Sequence, residues 1–285
     1  MGALSFSALK ERAQQVKELS TLPSVILRIL EVMNNPMADA RDVEREIIED
    51  PVITTKVLKV ANSPFYGANR DISSISQAVV LMGFAEVQNI ALSVSIFNRF
   101  SGPTKTFDRR EFWEHCFTTA CAADALQRRV NAQTNDGFVA GLLHDIGRVV
   151  LDQHFPDEFQ EIVSLAEAQS ISLLDAERKV LGVTHCDIGY WVTENWNLPT
   201  TLTDSILFHH SPFSCRESYV LTSIVHVADS ISKAFGGYMK KELAAPPKEE
   251  SAFRLLNLEG EKVMELADLV TQKMDYFDIL VGSSS

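Results

Sequence analysis

Histidines and carboxylates at inward-facing helical positions carry most of the chemistry this sequence offers. Glu111 and His115 lie four residues apart, so on a helix they share a face. His144 and Asp145 are adjacent, at the end of the apolar run Phe138-Val139-Ala140-Gly141-Leu142-Leu143. A helix apolar all round is buried, which sends this pair inward. His185 opens a segment carrying Ile188, Trp191 and Val192, and His209-His210 continue the stripe of Leu202 and Ile206. Asp229 falls at the edge of the stripe Leu221, Val225, Ser232 in an otherwise apolar segment. A lone buried carboxylate costs on the order of several kcal/mol unless a cation or a proton compensates it.

Taken singly, a helical histidine is more often a hydrogen-bonded core residue than a ligand. The set points elsewhere, because five of the seven histidines sit with carboxylates on inward faces of different segments. Imidazole with carboxylate suits a divalent transition metal: iron, manganese, zinc or nickel. His154 and His226 read as bystanders, although His226 lies three residues before Asp229 and is placed to support it.

The elements that must position these residues are helices. Val25, Ile26, Ile29, Leu30 and Met33 form one stripe; Phe155, Phe159, Ile162, Val163 and Ala166 form another. Val263, Leu266, Val270, Met274, Phe277 and Val281 form a third, and no stretch of strict alternation suggests a strand. Ser172 with Asp175, and Thr184 with Asp187, read as capping boxes, and Gly182 as a helix C-cap. Asn62-Ser63-Pro64 and Leu198-Pro199 mark breaks. Turn-rich Ser101-Gly102-Pro103-Thr104 and the stretch from Gly236 to Glu250 with Pro246-Pro247 divide the chain into residues 1–100, 101–236 and 237–285. The last of these is a linker and a helix apolar on one face, which serves packing on the body or a homodimer.

Composition narrows the function. A formal net charge of −12 over 285 residues repels phosphate backbones and anionic lipid, so neither nucleic acid nor a membrane is an expected partner. Arg128-Arg129 and Lys240-Lys241 read as solvated helix ends. Cys116, Cys121, Cys186 and Cys215 contain no C-x-x-C pair and need no disulfide role, which suits a reducing cytoplasm. The amino terminus lacks the pattern of a signal peptide, and no apolar run approaches membrane-spanning length.

The order His115, His144-Asp145, His185, His209-His210, Asp229 resembles the ligand order of HD-type metal-dependent phosphohydrolases, with Glu111 where some relatives add a carboxylate. Thr21-Leu22-Pro23, Asp50-Pro51, Ala61-Asn62-Ser63, Ser76-Gln77-Ala78 and Leu81-Met82-Gly83 are similar to the amino-terminal signature of HDOD domains. So are Phe112-Trp113, Gly141 to Gly147 and Trp196-Asn197-Leu198-Pro199, and the likeness runs over residues 20–236. It implies an all-α, HD-like helical bundle with an amino-terminal helical subdomain. One or two metal ions would be held by Glu111, His115, His144, Asp145, His185, His209, His210 and Asp229.

The resemblance also implies a bacterial signalling output module that meets signalling proteins by association. The alternative is an active phosphohydrolase or phosphodiesterase acting on a phosphorylated small molecule, with His144 and Asp145 its catalytic pair. Departures bear on the choice. Ser211-Pro212 follows the histidine pair where cyclic-dinucleotide hydrolases carry other residues, and Arg148 stands where a lysine is common. Arginine grips phosphate in a fork but donates no proton. A third option is a di-iron centre that is itself a sensor.

Overall fold

The computed structural model describes residues 6–15, 24–33, 35, 37–68, 71–102, 106–132, 134–235, 250–258 and 261–282. Every regular element among them is helical, as the sequence pattern requires. In chain order these are α1 (Phe6–Gln15), α2 (Ser24–Met33), α3 (Ala40–Ile48), α4 (Pro51–Ala61), α5 (Ile75–Met82), α6 (Phe84–Arg99), α7 (Arg109–Arg129), α8 (Gly137–Leu143) and α9 (Ile146–His154). There follow α10 (Pro156–Gln169), α11 (Leu173–Leu181), α12 (His185–Asn195), α13 (Thr200–Phe208), α14 (Tyr219–Phe235), α15 (Glu250–Leu255), α16 (Glu261–Lys273) and α17 (Phe277–Val281). No single described helix is long and apolar enough to cross a membrane.

The chain forms two compact units, and their boundaries differ from the three consecutive segments expected from turn composition. One comprises residues 22–101 and 268–285, the other residues 1–21 and 102–267. Side-chain contacts from the ends of the chain explain the difference. Arg12 of α1 stacks on the Phe155 ring at 4.5 Å and pairs with Glu158 at 3.2 Å, which ties α1 to the larger unit. Phe277 and Leu280 of α17 are buried, and Phe277 meets Phe97 of α6 edge to face. The linker Gly236–Glu250, Lys240-Lys241, Thr21-Leu22-Pro23 and Pro103-Thr104 lie outside the described residues, apart from Glu250 at the start of α15.

In the smaller unit, the motif residues do local work. Asp50 caps α4 by accepting from the Val52 and Ile53 N–H groups, with Pro51 in the first turn where it loses no helical bond. Asn62 clamps the following loop, donating to Ile72 O and accepting from Ile72 N, both at 2.8 Å. In the larger unit, α7 is buried along most of its length and packs against α8 and α14. Its Phe112, Trp113 and Phe117 are almost wholly shielded from solvent, each contributing about 1.5–3 kcal/mol of hydrophobic stabilisation. Gly182 ends α11 in the left-handed region, and Thr184 N–H donates to Asp187 at 2.8 Å to open α12.

Candidate metal centre

Five helical segments converge on one buried spot in the larger unit. His115 comes from the middle of α7, and His144 and Asp145 from the turn between α8 and α9. His185 begins α12, His209 and His210 follow α13, and Asp229 projects from α14. Two glycines let the backbones approach. A Cβ on Gly141 would lie 2.7 Å from Ala120 Cα, and one on Gly147 would lie 1.9 Å from the His185 carbonyl oxygen. Any side chain there would push α8 from α7, or α9 from the start of α12, and so separate the histidines.

Asp145 stands at the centre and presents its two oxygens to different partners. Oδ1 lies 3.1 Å from His185 Nε2 and 3.6 Å from His209 Nε2. Oδ2 lies 3.6 Å from His144 Nε2 and 3.9 Å from His115 Nε2. Asp229 Oδ1 completes the second set, 3.2 Å from His115 Nε2 and 3.7 Å from His144 Nε2. His210 Nε2 joins the first at 3.3 Å from His185 Nε2. The geometry is therefore two adjoining donor sets sharing one carboxylate.

The far side of each ring fixes which nitrogen faces inward. His144 Nδ1 donates to Gly141 O at 2.7 Å and His209 Nδ1 to Ile206 O at 2.9 Å. His185 Nδ1 donates to Glu177 Oε2 at 2.7 Å. His115 Nδ1 donates to Ser232 Oγ at 3.0 Å, and that hydroxyl in turn donates to His115 O at 3.3 Å. Carbonyl and carboxylate oxygens only accept, and the Ser232 hydroxyl has committed its proton to His115 O, so in these four rings Nδ1 carries the hydrogen and Nε2 turns its lone pair to the centre. His115 and His144 bring two such nitrogens within 3.3 Å, a distance that demands a shared proton or another cation between them.

Whether a metal fits is decided by what the centre leaves unsatisfied. Both oxygens of Asp145, Asp229 Oδ1 and His209 Nε2 are buried without a hydrogen bond. Orphaned buried acceptors converging from several elements are rare in folded proteins and call for a coordinating ion. One ligand atom from each of His115, His144 and Asp145 lies within 4.8 Å of the others, and the same holds for His185, Cys186, His209 and His210. The donors are imidazole, carboxylate and thiol, which fits a first-row divalent metal.

Fixed charges complete the balance. Burial alone would raise the Asp145 carboxyl, but Arg148, His144 and His185 outweigh it and hold the group well below the usual carboxylate range. Asp229 behaves likewise: burial opposes, but Lys233, 2.9 Å from Oδ2, prevails together with His115 and His144. Burial would lower His209, yet the Cys186 and Asp145 charges push it up to about 9. His185 moves up for the same reason, with Cys186 and Glu177 overcoming burial. Both rings therefore hold a second proton more readily than a free imidazole does.

Not every residue expected at the site is there. Glu111 lies in the first turn of α7 and is exposed; it belongs to neither donor set, because burial of α7 begins only at Phe112. Arg148 is fully buried, its guanidinium 3.4 Å from Asp145 and 3.7 Å from Glu177. It is committed to the cage's own carboxylates rather than turned outward to grip a phosphate. Conversely, Glu177, Cys186 and Lys233 belong to the cage and were not expected there. The signals exist: Glu177 interrupts the stripe of Leu174 and Leu181, and Lys233 follows Asp229 by one helical turn. His226, 4% exposed, donates to His209 O at 2.8 Å and so steadies the histidine pair.

Comparison with known proteins agrees with this architecture. The HDOD domain profile matches residues 19–212, which includes every cage residue except those on α14. A protein of Treponema pallidum (strain Nichols) is 28% identical over 228 residues; the match takes in 79% of this chain, which spans less than half, 44%, of that relative. The crystal structure of an HDOD domain protein of unknown function from Geobacter sulfurreducens superposes with a TM-score of 0.77 at 26% identity, covering 97% of this chain and 98% of that one. A provisionally named phosphohydrolase from Shewanella amazonensis shares the fold with a TM-score of 0.74 at 23% identity, covering 94% and 97% of the two chains.

Proposed function

Since the chain belongs to the HDOD family, we propose that it is a cytoplasmic bacterial regulatory module whose larger unit is built around a one- or two-ion metal centre, and which acts by binding signalling proteins. The observation that carries this is burial. His144, His185 and His209 are 0% exposed, Asp145 1%, His115 2% and Asp229 3%, with only His210 partly open. Donors this enclosed suit a centre that stabilises or reports a conformation better than one that turns over substrate. Arg148 supports the same conclusion, because the cation best suited to hold a phosphoryl group is locked between Asp145 and Glu177.

On this proposal His115, His144, Asp145 and Asp229 hold one ion, and Asp145, His185, His209 and His210 hold the other. Iron, manganese, zinc and nickel all match the nitrogen and oxygen donors. When bound, such an ion supplies Lewis acidity toward phosphoryl oxygens. Gathering ligands from three segments around each ion, five in all, would couple metal binding to the stability of the larger unit.

The second reading is an active phosphohydrolase, favoured by the carboxylate shared between two donor sets, an arrangement suited to in-line displacement at phosphorus. Assay of metal-loaded protein against nucleotides and cyclic dinucleotides separates the two. Turnover no greater than that of His144→Ala is expected of a regulatory module; hydrolysis that His144→Ala abolishes would establish the enzyme instead.

A further inference from the structure

We propose that Cys186 is a metal ligand, so that the His185 side of the cage contains sulfur and takes a thiophilic divalent ion such as zinc in preference to manganese. The inference rests on the metal-centre reading above and extends it to a residue that the HD ligand order does not contain. Three donors of different chemistry surround His185 Nε2: Asp145 Oδ1 at 3.1 Å, His210 Nε2 at 3.3 Å and Cys186 Sγ at 3.5 Å. Cys186 Sγ also lies 3.9 Å from His209 Nδ1, on the edge of the ring that bonds Ile206 O, and one ligand atom of Cys186 falls within 4.8 Å of those of His185, His209 and His210; the residue is 5% exposed.

The other thiol with clear partners shows the contrast. Cys215 Sγ donates to Asp204 at 3.4 Å and accepts the Ser218 N–H at 3.4 Å, an ordinary structural arrangement. Cys186 instead faces ring nitrogens, and it is the second residue of α12, where the positive end of the helix dipole favours a thiolate. As the metal–sulfur bond forms, the S–H bond breaks and its proton leaves to solvent. Thiolate with imidazole selects zinc-like ions, whereas the opposite set, His115, His144, Asp145 and Asp229, offers only nitrogen and oxygen and accepts harder ions as well.

The test uses the full chain, stripped by chelator and titrated anaerobically with cobalt(II) as a spectroscopic probe. Wild type is expected to show a thiolate-to-cobalt charge-transfer band together with ligand-field bands. Cys186→Ser and Cys186→Ala should lose the first and keep the second, while Cys215→Ser keeps both. Zinc affinity at one of the two positions should fall by more than the about 10–100-fold that loss of a partner behind a ligand costs, with manganese affinity little changed. Ligand-field bands without the charge-transfer band in wild type, or an unchanged zinc-over-manganese preference in both Cys186 variants, would overturn the assignment of Cys186 alone. Absence of any cobalt spectrum in wild type would overturn the metal centre and this assignment with it.

Discussion

Glu177 holds His185 at two points: one carboxylate oxygen accepts both the backbone N–H at 2.8 Å and the ring Nδ1–H at 2.7 Å. Ring rotation is thereby fixed, and Nε2 is left facing Asp145. Glu177→Gln keeps the size but removes the charge that strengthens both bonds. We expect metal affinity to fall about 10–100-fold, with helix content intact. Competition with a metal-sensitive dye, read beside circular dichroism, checks this; an unchanged affinity would mean that Glu177 only fills space.

Arg148 supplies the cation between Asp145 and Glu177, and the group is wholly buried. Arg148→Met would leave two buried carboxylates short of their compensating charge. Breaking a buried pair in this way costs about 3–5 kcal/mol, which urea unfolding of the metal-free protein would reveal. Arg148→Lys should lose less, since the charge returns without the planar fork. A phosphate-gripping residue would behave oppositely, losing phosphate affinity with its stability unchanged.

Much of this was legible in the sequence, and the misses have physical reasons. Inward periodicity exposed His115, His144, His185, His209 and Asp229, because histidines and carboxylates on an apolar stripe contradict their surroundings. Glu177 and Cys186 obey the same logic but stand out less in the sequence, Glu177 on an otherwise ordinary amphipathic helix and Cys186 as a small apolar residue. Glu111 shows the limit of spacing: four residues place it on the face of His115, but only packing decides where the neighbours stop covering that face. Arg148 shows the limit of motif position, since its role depends on Glu177, distant in sequence.

The raised histidines set a pH dependence. His209 titrates near 9 in the folded chain against an ordinary value of 6.5, and His185 is shifted in the same direction. A cation favoured by the fold contributes stability that is fully present below about 6.5 and is lost as the pH rises through about 9. Metal-free protein should therefore lose stability to urea across that window. Metal affinity should rise over the same range, because the ion displaces protons from Nε2. Parallel unfolding and metal-competition series check the opposed trends, and an affinity independent of pH would argue against these rings as ligands.

We propose that Asp145, with one oxygen toward each donor set, joins two ion positions. This is tested most directly by elemental analysis of protein purified without chelator or immobilised-metal chromatography, beside His115→Ala, His210→Ala and Asp145→Ala. Two equivalents are expected in wild type, one after either histidine replacement, and none without Asp145. Metal absent from the wild type, or fully retained by Asp145→Ala, would contradict the shared-carboxylate centre.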